Sequence, residues 1–171
     1  MDNQPTITVK TKSRMTTNTL LFLLIAIVVL YLGIRIAIGI ASKNKVATGF
    51  NADTVTLNDC AFKENCQSSV DKNSENRVEP FSIAGERQQA IANAAAILQS
   101  DTKASIVTQT PMYLHATFKT GLMGYIDDVE FLLDETSNTL QVRSASRLGI
   151  KDLGANKKRI ELLRSLMENR L

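Results

Sequence analysis

Several residue types are scarce in this sequence. Its 171 residues include no tryptophan, one histidine, two cysteines and three prolines, and only 5% of the residues are aromatic. Charge is nearly balanced, since 20 basic and 17 acidic side chains give a formal net charge of +3. Binding to nucleic acid needs a concentrated positive surface, and single-strand grooves add stacked aromatic side chains. The sequence shows neither pattern, so we expect no nucleic-acid partner.

Motifs for cofactors and metals are missing as well. Cys60 and Cys66 are separated by five residues, which is not the C-x-x-C spacing of a redox motif, and His115 alone supplies too few ligands for a metal. Gly121 and Gly124 lack the Lys-Ser/Thr ending of a phosphate-binding loop and are better explained as turn glycines. We therefore predict no cofactor and no metal. A structural disulfide between the two cysteines is favoured, and two free thiols are the main alternative.

What the sequence does contain is one long apolar block near its N-terminus, interrupted only by Arg35. About 20 apolar residues cross a hydrocarbon core of ~30 Å, and Arg35 lies toward one end, where its guanidinium can reach the head groups. We predict a short N-terminal tail over residues 1–18 and a transmembrane helix over residues 19–41, in contact with the lipid bilayer. The alternative is a cleaved signal peptide, because Gly39 and Ala41 have the spacing of a cleavage site. The length of the block favours the anchor.

The side of the membrane on which the rest of the chain lies follows from the cysteines. Basic residues flank the apolar block equally, with Lys10, Lys12 and Arg14 before it and Arg35, Lys43 and Lys45 after it. The positive-inside rule therefore gives no orientation. A disulfide between Cys60 and Cys66 suits an oxidising compartment. We predict a single-pass protein of the cell (inner) membrane whose C-terminal domain is periplasmic or otherwise extracytoplasmic.

Beyond the membrane, apolar periodicity predicts an α+β domain over residues 80–171, preceded by a polar tether and cysteine-pair loop over residues 42–79. The predicted elements are a helix over residues 84–100, strands over residues 104–109, 112–119, 127–134 and 139–146, and a helix over residues 157–171. We expect a two-layer domain with a four-stranded antiparallel sheet flanked by two helices. A four-residue hairpin loop after Asp134 would place Glu130 directly opposite Arg143.

Two segments of the predicted domain resemble a known family. Residues 124–134 have the sequence GYIDDVEFLLD, and residues 142–164 have the sequence VRSASRLGIKDLGANKKRIELLR. The cysteines lie in a matching stretch, Leu57-Asn58-Asp59-Cys60 and Asn65-Cys66-Gln67-Ser68-Ser69. That stretch departs from the family pattern at Glu64 and Gln67. Over about residues 57–166 the sequence resembles the bacterial and plastid family called domain of unknown function 1499. The resemblance implies no reaction, because the family carries no assigned activity.

Charged side chains concentrate in the same segments and form a candidate polar site. Its members are Asp127, Asp128, Glu130, Arg143, Arg147, Asp152, Asn156 and Arg159. Two carboxylates in different environments can support acid–base chemistry. Pairing of the acids with arginines is favoured instead, because no nucleophile with an activating base stands out. A hydrolase triad could in principle be formed by His115, an aspartate and either Ser144 or Ser146. No G-x-S-x-G motif accompanies these residues, so a solvated or hydrogen-bonded histidine is favoured.

A glycine-bearing loop with unusual apolar content is the second candidate. Its members are Gly121, Leu122, Met123, Gly124 and Tyr125. These side chains either pack into the core or form an exposed apolar lip for a lipid or a partner protein. Core packing is favoured, because large exposed apolar patches are uncommon on soluble domains.

A strong anchor beside a weak catalytic signal favours a non-enzymatic protein of the cell envelope. We expect an extracytoplasmic binding or scaffolding domain. Its contact surface would be the polar sheet face, the region of Arg143 and Arg147 and the glycine-bearing loop, and its partner would be an envelope protein or a lipid. The alternative is an envelope enzyme that uses Asp127, Asp128 and Glu130. Carboxylates that line a pocket unpaired would favour the enzyme, and carboxylates neutralised by arginines would favour the binding domain. A third possibility is a cytoplasm-facing domain with reduced cysteines.

Overall fold

The computed structural model describes residues 16–46, 48–61, 63–168 and 170–171. Of the predicted N-terminal tail, only residues 16–18 lie within these ranges. The chain divides into two compact units, residues 1–34 and residues 35–171. Helix α1, Thr17–Lys43, contributes residues to both.

Helix α1 has 27 residues, so its length of about 40 Å exceeds the ~30 Å of a hydrocarbon core. By length and composition it can cross a membrane, and a signal sequence near an N-terminus would meet the same criteria. Its apolar side chains are largely exposed, as in Phe22 with 72% of its surface accessible. A helix that is apolar on all sides is typical of a lipid environment. The predicted span of residues 19–41 lies inside α1.

The second unit is built on a six-stranded antiparallel sheet. Its strands are β3 Cys66–Ser68, β4 Phe81–Ser82, β5 Ala104–Gln109, β6 Tyr113–Lys119, β7 Ile126–Asp134 and β8 Thr139–Ser146. They are arranged in the order β3-β8-β7-β6-β5, and β4 also pairs with β8. The four predicted strands are β5 to β8. The prediction of four strands was wrong in number, because β3 and β4 are too short to show the alternation by which strands are recognised.

The β7–β8 hairpin has the predicted register. Asp134 is paired with Thr139, and Glu130 is paired with Arg143. The turn is fixed locally, since Asp134 Oδ1 accepts a hydrogen bond from the Thr136 N–H at 2.9 Å. Side chains of successive residues point to opposite faces of the sheet, and this decides on which face each charged group lies.

Two helices cover one face of the sheet, as predicted. They are α2 Ala90–Gln99, which follows a 3-10 turn at Arg87–Gln89, and α3 Ala155–Met167. Small side chains such as Ala90 and Ala94 are completely buried on α2, which allows the helix to approach the sheet closely. The main apolar core lies between the helices and the sheet and includes Phe131 and Ile160.

The other face of the sheet is covered by the segment before β4. Residues 42–79, for which a tether and a cysteine-pair loop are predicted, contain a small hairpin of β1 Phe50–Asn51 and β2 Thr56–Leu57 as well as β3. Phe50 stacks on Tyr113 of β6 with ring centroids 4.2 Å apart. Leu57, Tyr113 and Leu132 form a second, small apolar cluster. The polar sheet face expected to be a contact surface is therefore covered by the chain itself.

Candidate functional site

Glu130 is the centre of a buried polar cluster on the covered face of the sheet, and its side chain is inaccessible to solvent. Its carboxylate accepts hydrogen bonds from the Gly49 N–H at 2.7 Å, the Phe50 N–H at 3.1 Å and the Tyr113 hydroxyl at 2.7 Å. Arg143, its cross-strand partner, donates through Nη1 at 3.2 Å. Burial and the charge of Glu130 raise the pKa of Tyr113 far above its usual range, so the phenol stays protonated and donates.

Asp128 forms a second cluster on the same face. Arg147 binds its carboxylate through two parallel contacts, Nε to Oδ2 at 2.8 Å and Nη2 to Oδ1 at 2.7 Å. His115 Nε2 lies 2.8 Å from Oδ1 and must donate, because an ionised carboxylate only accepts hydrogen bonds. Burial alone would raise the pKa of Asp128, but the hydrogen bonds and charges of His115 and Arg147 outweigh it and lower that pKa. Arg147 also donates to the Ser42 carbonyl at 3.4 Å.

Asp127 lies on the opposite face, toward helix α3. Its Oδ2 contacts Arg159 Nη2 at 2.5 Å. Arg159 also donates through Nη1 to Ser144 Oγ at 3.1 Å and to Asn156 Oδ1 at 2.6 Å, and its guanidinium lies 4.9 Å from the ring centre of Phe118. Arg159 therefore connects the sheet to α3 and is itself held by several partners.

Asn156 continues this cluster to the start of α3. Its Nδ2 donates to the Asn65 carbonyl at 2.9 Å, to Ser146 Oγ at 3.1 Å and to Asp152 Oδ2 at 2.8 Å. Asp152 also accepts the backbone N–H groups of Asn156 and Gly154 at 2.7 Å and 2.9 Å. Its carboxylate thereby satisfies backbone donors of the first helical turn, which otherwise have no partner within the helix. Asp152 and Asn156 thus position α3.

The eight predicted polar residues do not form one site. Asp127 and Asp128 are adjacent in β7, so their side chains lie on opposite faces of the sheet. Each acid is paired with a different arginine, and the pairs are Asp127–Arg159, Asp128–Arg147 and Glu130–Arg143. The contact of His115 with Asp128 and the role of Tyr113 were not predicted from the sequence. Both follow from the β6–β7 pairing, which brings Tyr113 and His115 beside the acids.

The hydrolase triad considered from the sequence is not assembled. His115 bonds to Asp128 on the covered face, whereas Ser144 bonds to Asn156 on the face of α3. The sheet therefore separates the two side chains. Among the residues that the structure describes, no group of three or more His, Cys, Asp and Glu side chains is placed to hold a metal ion.

The glycine-bearing loop is partly exposed. Leu122 has 73% of its surface accessible, whereas Gly124 is buried and adopts a φ of +74°, a conformation that favours glycine. The Arg35 side chain donates through Nη1 to the Leu122 carbonyl at 3.2 Å. Met123 and Tyr125 are half-buried. The loop is thus neither fully packed into the core nor fully exposed, and it is held beside the residue that interrupts the apolar block.

The predicted disulfide is confirmed. Cys60 and Cys66 are bonded, with Cα atoms 5.5 Å apart, and their exposed fractions are 1% and 0%. Cys66 lies in β3 opposite Ala145 of β8, and the Cys60 N–H donates to Asp71 Oδ2 at 2.6 Å. The bond therefore joins the cysteine-pair loop to the edge of the sheet.

Comparison with known proteins tests the resemblance drawn from these segments. Residues 56–167 match the family described as Protein of unknown function (DUF1499). The chain belongs to this family. The matched part of the DUF1499 chain includes all three acid–arginine pairs and the disulfide, while α1 and Gly49 precede it. No curated protein and no solved structure matches the chain. Membership of the DUF1499 family assigns no reaction to it.

Proposed function

We propose that this DUF1499 protein is a single-pass membrane protein whose second unit works outside the cytoplasm as a binding or scaffolding domain of the cell envelope. The observation that carries the proposal is the pairing of Asp127, Asp128 and Glu130, each with its own arginine. All three acids are buried, with exposed fractions of 1%, 0% and 0%.

This pairing argues against the alternative of an envelope enzyme. A general acid or base near neutral pH needs an environment that moves its pKa toward 7, which for a carboxylic acid is upward. The pKa of Asp128 moves downward, because His115 and Arg147 stabilise its charged form. Glu130 has its two oxygens occupied by four donors. Donors of the protein itself therefore occupy both carboxylates.

The compartment is inferred from the disulfide and the anchor from helix α1. Disulfides persist in oxidising compartments and are rare in the cytosol. The apolar part of α1 is longer than the 7–15 apolar residues typical of a signal peptide. An uncleaved α1 followed by a disulfide-bonded unit supports a domain that is held at the outer surface of the membrane.

Labelling of a single introduced cysteine tests this orientation. The native pair cannot report, because Cys60 and Cys66 are bonded and buried. We would introduce Lys157→Cys, at an exposed position of α3, and compare it with Asn3→Cys on the other side of the apolar block. Spheroplasts are treated with a membrane-impermeant maleimide before and after lysis.

The expected result is that the cysteine at position 157 is labelled in intact spheroplasts and the cysteine at position 3 only after lysis. The membrane fraction should contain the chain at its full mass, with residues 1–41 retained. The reverse labelling pattern would place the second unit in the cytoplasm. A soluble product lacking the apolar block would show that α1 is a signal sequence. Either result would overturn the proposal.

A further inference from the structure

A small cavity lies beside the Asp127 cluster, between the glycine-bearing loop and the loop that leads into α3. Its volume is about 210 Å³, and its lining includes Thr120, Tyr125, Asp127, Lys151 and Leu153. Pockets for drug-sized ligands have volumes of about 300–1,000 Å³. This cavity is therefore of a size for a small polar group and not for a whole lipid or cofactor.

Two residues of the lining, Asp127 and Thr120, carry buried oxygen atoms that can accept a hydrogen bond. Among the residues that the structure describes, Asp127 Oδ1 and Thr120 Oγ1 have no hydrogen-bond partner although both atoms are buried. The other oxygen of Asp127 is paired with Arg159, and a carboxylate oxygen accepts hydrogen bonds. Buried polar atoms in native proteins nearly always have partners. The cavity therefore suits a group that donates hydrogen bonds, and a positively charged donor fits Asp127 better than a neutral one.

A cation also lines the cavity. Lys151 pairs with Glu64 at 2.8 Å, and both side chains are more than half exposed. Exposed ion pairs of this kind contribute little to stability, so Lys151 can exchange Glu64 for another anion with little loss. One cavity thus presents a buried anion and an exposed cation. That arrangement is complementary to a zwitterion whose positive end enters first.

Exposed leucine and isoleucine side chains border the same two loops. Leu122, Ile150 and Leu153 have 73%, 80% and 91% of their surfaces accessible. Leu153 also has a φ of +54°, which is a strained conformation for a residue other than glycine and is often found at ligand sites. Arg35 holds the Leu122 loop by a hydrogen bond of 3.2 Å. Leu122 therefore lies beside the residue that interrupts the apolar block.

We propose that this cavity binds the head group of an ethanolamine phospholipid. The ammonium group donates to Asp127 Oδ1 and Thr120 Oγ1, the phosphate contacts Lys151, and the glycerol and first methylene groups lie against Leu122 and Leu153. A choline head group has no N–H to donate, so it leaves both acceptors unsatisfied. This inference deepens the proposed function and rests on its membrane anchor, although not on the side of the membrane.

Native mass spectrometry of the full chain in detergent tests the inference. The protein is titrated with phosphatidylethanolamine, its N-methyl and N,N-dimethyl derivatives and phosphatidylcholine, all with the same acyl chains. We expect about tenfold tighter binding of phosphatidylethanolamine than of phosphatidylcholine, which corresponds to about 1.4 kcal/mol. The affinity should fall most at the last methylation, where the final N–H is lost.

Matched variants connect this selectivity to the cavity. Asp127→Asn and Thr120→Val should each reduce the ethanolamine-to-choline ratio by severalfold, and Thr120→Val keeps the proposal testable if loss of the Arg159 pair unfolds the first variant. Leu153→Asn, which tolerates the positive φ, should weaken both lipids alike. Val55→Asn is the control, because Val55 is also exposed, also has a positive φ of 50°, and does not line the cavity.

Equal affinities for the two lipids would mean that the acceptors are met by water alone, and this would overturn the proposal. So would a selectivity that Thr120→Val leaves unchanged. Free phosphoethanolamine is titrated separately, and binding as tight as that of the lipid would assign the cavity to a soluble ligand and overturn the lipid as its source. Failure here is distinguishable from failure of the proposed orientation, because maleimide labelling of the cysteine at position 157 reports only the side of the membrane.

Discussion

Replacing Glu130 by glutamine is the sharpest test of how the covering segment, residues 42–79, is attached to the sheet. Glutamine has nearly the same shape, so the change creates no cavity. It removes the negative charge opposite Arg143 and replaces one acceptor oxygen by an NH₂ donor. The Gly49 N–H and the Arg143 guanidinium both lie at Oε2, at 2.7 Å and 3.2 Å, while the Phe50 N–H and the Tyr113 hydroxyl lie at Oε1. Whichever way the amide turns, two donors lose their acceptor.

Removing one partner of a buried ion pair costs about 3–5 kcal/mol, and the unpaired backbone donors place this variant in the middle of that range or above. We expect Glu130→Gln to lower the free energy of unfolding of the second unit by about 4 kcal/mol. For a unit of this size, each kcal/mol lowers Tm by about 3–5 °C. The expected loss in Tm is therefore roughly 15 °C. Because native proteins have only about 5–15 kcal/mol of stability, the effect should be obvious.

The assay is thermal unfolding of the full chain in nanodiscs, combined with hydrogen exchange of the amides of Gly49 and Phe50. Glu161→Gln is the matched control, because Glu161 is exposed and pairs with Arg164 at 3.5 Å on the same helix, so its loss should cost less than about 0.5 kcal/mol. Arg143→Met should lower the free energy of unfolding less when it is introduced into the Glu130→Gln variant than when it is introduced into the wild type. An unfolding free energy of Glu130→Gln within 1 kcal/mol of the control, with unchanged exchange at both amides, would refute the attachment of Gly49 and Phe50 through Glu130.

Three further predictions concern the same unit. Gly49→Ala should speed exchange in this segment and cost about 1–3 kcal/mol, because the added methyl group would lie 2.5 Å from the Arg143 side chain. The pKa of Asp128 is lowered in the folded protein. The stability that this gives is complete above the unfolded pKa of about 3.9 and is lost as pH falls through the folded value, so acid titration should destabilise wild type more steeply than Asp128→Asn. Reduction of the Cys60–Cys66 bond, which closes a short loop, should lower the unfolding free energy by about 2 kcal/mol in urea titrations.

The longer strands could be predicted from the sequence because their alternation extends over many residues. Strands β6, β7 and β8 have 7, 9 and 8 residues, and a one-residue shift in any of them would turn its apolar side chains away from the helices. The four-residue loop between β7 and β8 sets their register and so predicts the Glu130–Arg143 pair. Strands β3 and β4 have only 3 and 2 residues. They are held by partners far away in the sequence, which local periodicity does not reveal.

The candidate site was predictable in its residues and not in its arrangement. Alternation along β7 already implies that Asp127 and Asp128 face opposite sides, and this would have divided the polar site into two. The partners on the covered face could not be predicted, because the Gly49 and Phe50 amides have no side-chain signature and lie 81 and 80 residues from Glu130. Only the fold brings these groups together.

A covering segment with few apolar side chains needs another means of attachment, and the buried charges provide it. Residues 42–79 are rich in Asn, Ser, Asp and Lys, so a large apolar interface is not available to them. Instead, Glu130 binds two consecutive backbone amides and Arg147 binds the Ser42 carbonyl. Such bonds need fixed geometry, and a shift of one residue would leave buried donors and acceptors unpaired. Glu130, and Asp128 through Arg147, therefore define the positions of Gly49, Phe50 and Ser42, which explains why these two acids are buried and paired.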